Sequence, residues 1–356
     1  MEKEREMAMM PELITSAEVS YGEDLLSKDK EKEPLSTDTT NPPSHKIQHL
    51  VISGGGVPGL TAYSVLRESH NSGFWNIDTL KSIYGTSIGA IVGFIISLKY
   101  NWDELDNYII NRPWNNVFKI DIGNIIQSIE TRGVFTRKII EEMVYPLLKG
   151  KDLDPSITML ELYEYSKIDI HIFTTELHEY ATVDISYKTH PEWKIIDALY
   201  CSMCLPIFFS PYLHNGKCYL DGGITNNYPI YNCLENVESP EKVLGISLIR
   251  SYVNNTITES TTMVEYLTSI LNQMYNKACI YSNSIKTNKH DPSTYYEILL
   301  KNTPDEIYDF IGVASSKERR IELLNKGVNI WKDFYGGDEV PDKTNCSNPL
   351  LETLES

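Results

Sequence analysis

The chain has 356 residues, 41% of them hydrophobic, enough to bury a sizeable core in one large domain or two. Its 32 Lys and Arg against 49 Asp and Glu leave a net charge of −17, which argues against nucleic-acid phosphate as a main partner and against simple electrostatic adhesion to anionic lipid. Six cysteines are scattered rather than densely framed, and the opening MEKEREMAMMPEL is charged where a signal peptide would be apolar. The expected setting is therefore reducing and intracellular, cytoplasmic or peripheral to membranes.

Residues 1–46 carry 11 acidic and 6 basic side chains, few large apolar ones, and end in STDTTNPPSHK, the composition of a disordered leader. A buried strand is expected at IQHLVIS, Ile47–Ser53, then a turn through Gly54, Gly55 and Gly56, then a helix at LTAYSVLRESH, Leu60–His70. A short strand, Asp78–Gly85, leads into the apolar helix IGAIVGFIISL, whose 11 residues fall short of the roughly 20 needed to span a bilayer. Residues 102–149 read as mostly helical, with TRKIIEEMVYPLL the clearest amphipathic piece. IDIHIFTTEL and YATVDIS are expected strands, PEWKIIDALYCSM a helix, and KVLGISLI, Lys242–Ile249, another buried strand. Residues 254–335 read as further helix, including SSKERRIELLNKGVNIWKDF packing back on the sheet, and 336–356 as a loose polar tail. The folded domain is thus expected over 47–335 with its core in 47–250. Strands alternating with helices point to an α/β fold with a largely parallel central sheet.

Three clusters carry chemistry. Gly54, Gly56 and Gly59 satisfy G-x-G-x-x-G between a strand and a helix, where backbone N–H groups and a helix N-terminus favour negative charge. That cradle suits a dinucleotide pyrophosphate, the oxyanion of acyl transfer, or a tight turn with no ligand. YGTSIGAIVG then places Ser87 between Gly85 and Gly89, a G-x-S-x-G on a strand-to-helix turn, as a nucleophile elbow requires. A serine hydroxyl needs a base. Of eight histidines only His290 follows Asp221 in the chain, and its TNKHDPS surroundings read as a solvated loop. The other candidate base is Asp221 in YLDGGITNNYPI, which also reads as a D-G hairpin turn and, as a base, would stand on a mobile loop with Gly222 and Gly223. CSMC, Cys201–Cys204, lacks a second pair at zinc spacing and reads as buried small residues.

The three elements in this order, followed by CSMCLPIFFSPYLHNGKCYLDGGITNNYPI and preceded by TMLELYEYSKIDIHIFTTEL, resemble the patatin-like phospholipase family over about residues 47–250. The resemblance implies a three-layer α/β/α fold and a Ser-Asp dyad, with Ser87 as nucleophile and Asp221 as general base. It assigns the oxyanion N–H groups to Gly54, Gly55 and Gly56, with Gly59, Gly85, Gly89, Gly222 and Gly223 as supporting motif positions. It implies acyl esters of membrane glycerolipids as substrate, met at the bilayer surface, and neither metal nor cofactor. An esterase of neutral lipids, an acyltransferase and a catalytically silent lipid-binding module are the alternatives. Many members carry a basic residue before the last glycine of the loop, where this chain has Pro58, so a phosphate-bearing headgroup is not specified there. The aromatics of PIFFSPYL suit either a membrane-facing rim or the core.

Overall fold

The computed structural model describes residues 47–119, 122–250, 256–263, 265–273, 275, 294–302 and 309–336. The leader, His290 and the tail beyond residue 336 lie outside them.

Five strands form the parallel half of the main sheet: β1 (His49–Ile52), β2 (Ser82–Thr86), β4 (Asp169–Glu176), β9 (Val243–Arg250) and β10 (Tyr296–Asn302). They run β10-β9-β1-β2-β4, and β8 (Lys217–Asp221) and β7 (Tyr212–His214) extend the order antiparallel, with β5 (Ala181–Ile185) also paired to β4. Successive residues of these strands enter different clusters. Leu50, Ile52, Ile83, Ile170 and Ile172 pack on one face with α1 (Gly59–Asn71), α2 (Ile88–Ser97), α6 (Met159–Ser166) and α7 (Ile195–Met203), while Val51, Tyr84 and Phe173 pack on the other with α9 (Ile230–Asn236). A sheet covered on both faces explains why β2 and β4 are buried along their whole length, their polar residues included. The fold is α/β, helices on both sides of a mostly parallel sheet.

Two expectations change. The region after residue 254 is not all helical: YEILLKN forms the parallel edge strand β10 beside β9. The last helix, α11 (Lys317–Tyr335), lies along α1 rather than directly on the sheet, with Thr61 and Ser64 hydroxyls donating to the Leu323 and Leu324 carbonyls at 3.1 and 2.6 Å. Gly327 permits that approach, since a Cβ there would sit 2.6 Å from the Thr61 carbonyl. The mostly helical stretch holds α3 (Trp102–Asn111), α4 (Ile122–Thr131) and α5 (Lys138–Lys149), and between the last two a short strand, β3 (Gly133–Phe135), pairs with β6 (Ile207–Phe209) in a second sheet. Pro146 inside α5 has no N–H for the Glu142 carbonyl, and Arg112 Nη2 donates to it instead at 2.6 Å.

The amino end of β4 holds a buried charge cluster. His171 lies between Asp169 (3.3 Å) and Asp184 (2.8 Å), stacked on the Tyr84 ring at 4.1 Å, and Lys188 pairs with Asp169. Burial alone would lower the His171 pKa, but the two carboxylates outweigh it and hold the value up at about 9.

Candidate active site

Ser87 joins β2 to α2 at φ 54° and ψ −124°, a strained conformation for a residue with a side chain. The flanking glycines follow from crowding: a Cβ on Gly89 would lie 2.2 Å from the Ile52 carbonyl oxygen, and one on Gly85 2.7 Å from the Ala90 backbone. The turn is pinned through its amide. Ser87 N–H donates to Ser202 Oγ at 2.7 Å, and that hydroxyl donates to the Phe173 carbonyl at 2.6 Å. The half-buried Ser87 side chain thus stands at the N-terminus of a ten-residue helix, where the macrodipole favours negative charge.

The glycine loop leaves β1 alongside this elbow. Gly54 and Asn227 clamp each other: Gly54 N–H donates to the Asn227 carbonyl at 2.9 Å, and Asn227 Nδ2 donates to the Gly54 carbonyl at 3.1 Å. Of the three glycines expected to offer amides to an anion, Gly54 therefore has its own already engaged. The Gly55 and Gly56 amides meet no acceptor among the described residues, and both glycines line the cavity that Ser87 enters. Gly56 adopts φ +67°, which suits glycine. Gly59 opens α1 so close to Ile88 that a Cβ would lie 2.1 Å from it, locking the two helix starts together.

Asp221 is the last residue of β8 and leads at once into the short helix α8 (Gly223–Asn226). The expected mobile loop is instead a buried, fastened strand end, with Asp221 4% exposed. Its backbone N–H donates to the Cys204 carbonyl at 3.0 Å, and Thr175 Oγ1 donates to its carbonyl at 2.9 Å. Its Oδ1 accepts from Gly223 N–H at 2.7 Å and from the Tyr275 hydroxyl at 2.9 Å. Gly222 is needed where a Cβ would lie 2.1 Å from the Phe173 carbonyl oxygen.

Ser87, Asp221, Gly55 and Gly56 share one cavity of about 160 Å³ with overwhelmingly apolar walls. One wall is the α2 face of Ile88, Ile91, Val92 and Ile95; another comes from α5 through Met143, Val144 and Leu147. Phe310, Val313 and Ala314 of α10 (Phe310–Ser315) close it from the late part of the chain. Phe209 is a buried wall residue whereas Leu213 is exposed, so PIFFSPYL divides between core and surface. Arg320 also lines the cavity and is buried, donating to the Ile110 carbonyl from Nε and Nη2 and to the Val313 and Ala314 carbonyls from Nη1 at 2.6–3.1 Å. It caps the ends of α3 and α10, where unpaired carbonyls carry partial negative charge.

None of the described histidines lines this cavity. Cys201 and Cys204 are buried free thiols pushed well above their ordinary pKa by that burial, and the CSMC segment serves the site through Ser202 Oγ and the Ser202 and Cys204 carbonyls. Among the described residues no three His, Cys, Asp or Glu side chains converge to hold a metal ion, and no helix is long and apolar enough to cross a membrane. Ser202, Asn227, Tyr275 and Arg320 were not singled out from sequence. The first two sit inside the quoted stretch around Asp221; Tyr275 and Arg320 carry no local signal.

The family model for patatin-like phospholipases matches residues 50–234, the stretch that supplies β1, the elbow and the Asp221 turn. The chain belongs to the patatin-like phospholipase family. Its relatives include a "probable lipid hydrolase 463L" of Invertebrate iridescent virus 6, 26% identical over 215 residues that cover 58% of this chain and 72% of the relative. An "uncharacterized protein R571" of Acanthamoeba polyphaga mimivirus is 25% identical over 296 residues, 79% of this chain and 96% of the relative. Among solved structures, VipD from Legionella pneumophila overlaps 79% of this chain and 67% of its own with a TM-score of 0.38 and 16% identity. Membership places this patatin-like chain among lipid ester hydrolases.

Proposed function

We propose that this protein cleaves fatty acyl esters of membrane glycerolipids, in the manner of a phospholipase A or lysophospholipase, with Ser87 as nucleophile and Asp221 as general base. The observation that carries this reading is the meeting of the strained serine, the buried carboxylate and the Gly55 and Gly56 amides at one apolar cavity. An acyl chain occupies the apolar part, and burial of each methylene there contributes roughly 0.8 kcal/mol. As Ser87 Oγ attacks the ester carbon, its proton passes to Asp221 and the carbonyl oxygen becomes an oxyanion facing the Gly55 and Gly56 N–H groups. Collapse of the tetrahedral species breaks the ester C–O bond, and Asp221 returns its proton to the departing alcohol. Water, deprotonated by the same carboxylate, then attacks the acyl carbon, the bond to Ser87 Oγ breaks as Asp221 hands its proton to that oxygen, and the acyl group leaves as free fatty acid.

Pro58 puts no positive charge at the loop, and Arg320, in an otherwise apolar wall, turns its guanidinium to backbone carbonyls, which supports neutral glycerolipids as substrates beside phospholipids. Acyl release from mixed phospholipid and neutral-lipid vesicles tests both points. Release by the wild type, lost at least a thousandfold in Ser87→Ala and Asp221→Asn (roughly the contribution of nucleophile and base together), is the expected result. Undiminished release by either variant would refute the dyad.

A further inference from the structure

Asp221 is a buried carboxylate beside an apolar cavity, a setting that favours its neutral form, yet a general base must be ionised before it can take a proton. Two donors converge on its Oδ1: the Gly223 amide at 2.7 Å and the Tyr275 hydroxyl at 2.9 Å. The amide belongs to the D-G-G turn itself. Tyr275 comes from a helical stretch 54 residues further along the chain, beyond the span that the family model matches. Its ring is 3% exposed, packed in the main core and part of the cavity wall. The ring reaches the carboxylate across Gly223, where a Cβ would fall 2.5 Å from Tyr275 Cε1 and 2.9 Å from Asp221 Oδ1. The second glycine of the turn thus leaves room for the tyrosine as well as for the turn.

We infer that Tyr275 is a positioning residue of the active site, whose hydroxyl holds the Asp221 carboxylate in its ionised, serine-directed form. The inference rests on the reading of Asp221 as general base. Two consequences separate it from simple packing. A donor to a carboxylate stabilises the charged form, so removing it raises the pH at which Asp221 ionises and moves the acidic limb of kcat/KM upward. Loss of the tyrosine's bond to Oδ1 also loosens the carboxylate's orientation, which lowers kcat while leaving the acyl-binding walls, and hence KM, nearly unchanged. Tyr275 and the Cys204 thiol both face Asp221, and burial together with the Asp221 charge keeps that thiol protonated. The thiol therefore stays neutral across the range of the limb.

The test measures pH–rate profiles of the full chain on a soluble acyl ester for the wild type, Tyr275→Phe, and a protein with 3-fluorotyrosine at position 275. Phenylalanine keeps the ring and removes the donor; the fluorinated ring keeps its shape and strengthens the donor. Expected for Tyr275→Phe are an acidic limb raised by about one pH unit, the scale of a charge-assisted hydrogen bond, a plateau kcat down about tenfold, and KM within about twofold. In the fluorotyrosine protein the limb moves the other way. A limb unmoved in both proteins, whatever the change in rate, would overturn the inference and leave Tyr275 a packing residue. Asp221→Asn in the same assay keeps the two readings apart: an active Asp221→Asn refutes the general base itself, whereas an inactive one with an unmoved limb in the Tyr275 variants refutes only the tyrosine's role.

Discussion

The cavity is built by two parts of the chain in different ways. Residues 47–236 bring the groups proposed to react, and they are placed by backbone: the Gly54–Asn227 clamp, the Ser87 amide on Ser202, and glycines at 85, 89 and 222 where a single carbon would collide with a carbonyl or a neighbouring turn. The late residues complete the walls begun by α2 and α5, and are placed by side-chain packing: Phe310, Val313 and Ala314 close the space, Arg320 ties α10 and α11 to α3, and α11 lies along α1. The proposed chemistry is thus held by elements that tolerate no added atom, while the shape of the cavity is set by ordinary apolar contacts.

Substitutions in the two parts should therefore fail differently. In Gly55→Ala the new Cβ would stand 2.7 Å from Leu248 Cδ1, shifting one of the two amides proposed to face the oxyanion. A fall in kcat of about a hundredfold, equal for short and long acyl esters, is expected; a loss that depends on chain length would mean that Gly55 shapes the cavity instead. Val313→Phe narrows the closing wall and should lower kcat/KM about tenfold on long-chain esters, a few kcal/mol at most of lost burial, with short-chain esters little affected. Equal loss on both would erase the distinction between the two parts.

The smallest effect is expected away from the cavity, at the amino end of β4. His171 is raised to about 9 by Asp169 and Asp184, above its ordinary value near 6.5. Its contribution to stability is fully present below about 6.5 and is lost as pH rises through 9. His171→Asn should lower the thermal midpoint by several degrees at pH 6.5 and by much less at pH 9.5, with ester hydrolysis at 25 °C unchanged. A gap in midpoint that does not narrow with pH would show that packing on Tyr84, not charge, is what the histidine supplies.

The parts differ in legibility for the same reason. A turn that admits only glycine leaves its mark in the sequence, so Gly54–Gly56, Gly85–Gly89 and Asp221–Gly223 could be read with their order and flanks. What those groups do to one another could not: the Gly54 amide is engaged only because Asn227 folds onto it, and Asp221 looks like a hairpin turn until Thr175 and Cys204 are seen to fasten it. Walls are harder still. Ile91 or Val313 has the same helical spacing whether it faces a core or a cavity, and a lone tyrosine at 275 has no motif. β10 is hard to read because its edge position exposes Leu299, 48% accessible, so ILL at 298–300 runs apolar without the alternation that marks a strand.

The most direct measurement is reaction of the wild-type chain with a long-chain fluorophosphonate, which phosphonylates activated serines, followed by mass-spectrometric mapping of the adduct. Ser87 is expected to carry the label, with labelling lost in Ser87→Ala and slowed at least a hundredfold in Asp221→Asn, in line with the removal of a general base. An adduct on another residue, or labelling of Ser87 at the wild-type rate without the Asp221 carboxylate, would contradict the Ser87–Asp221 dyad.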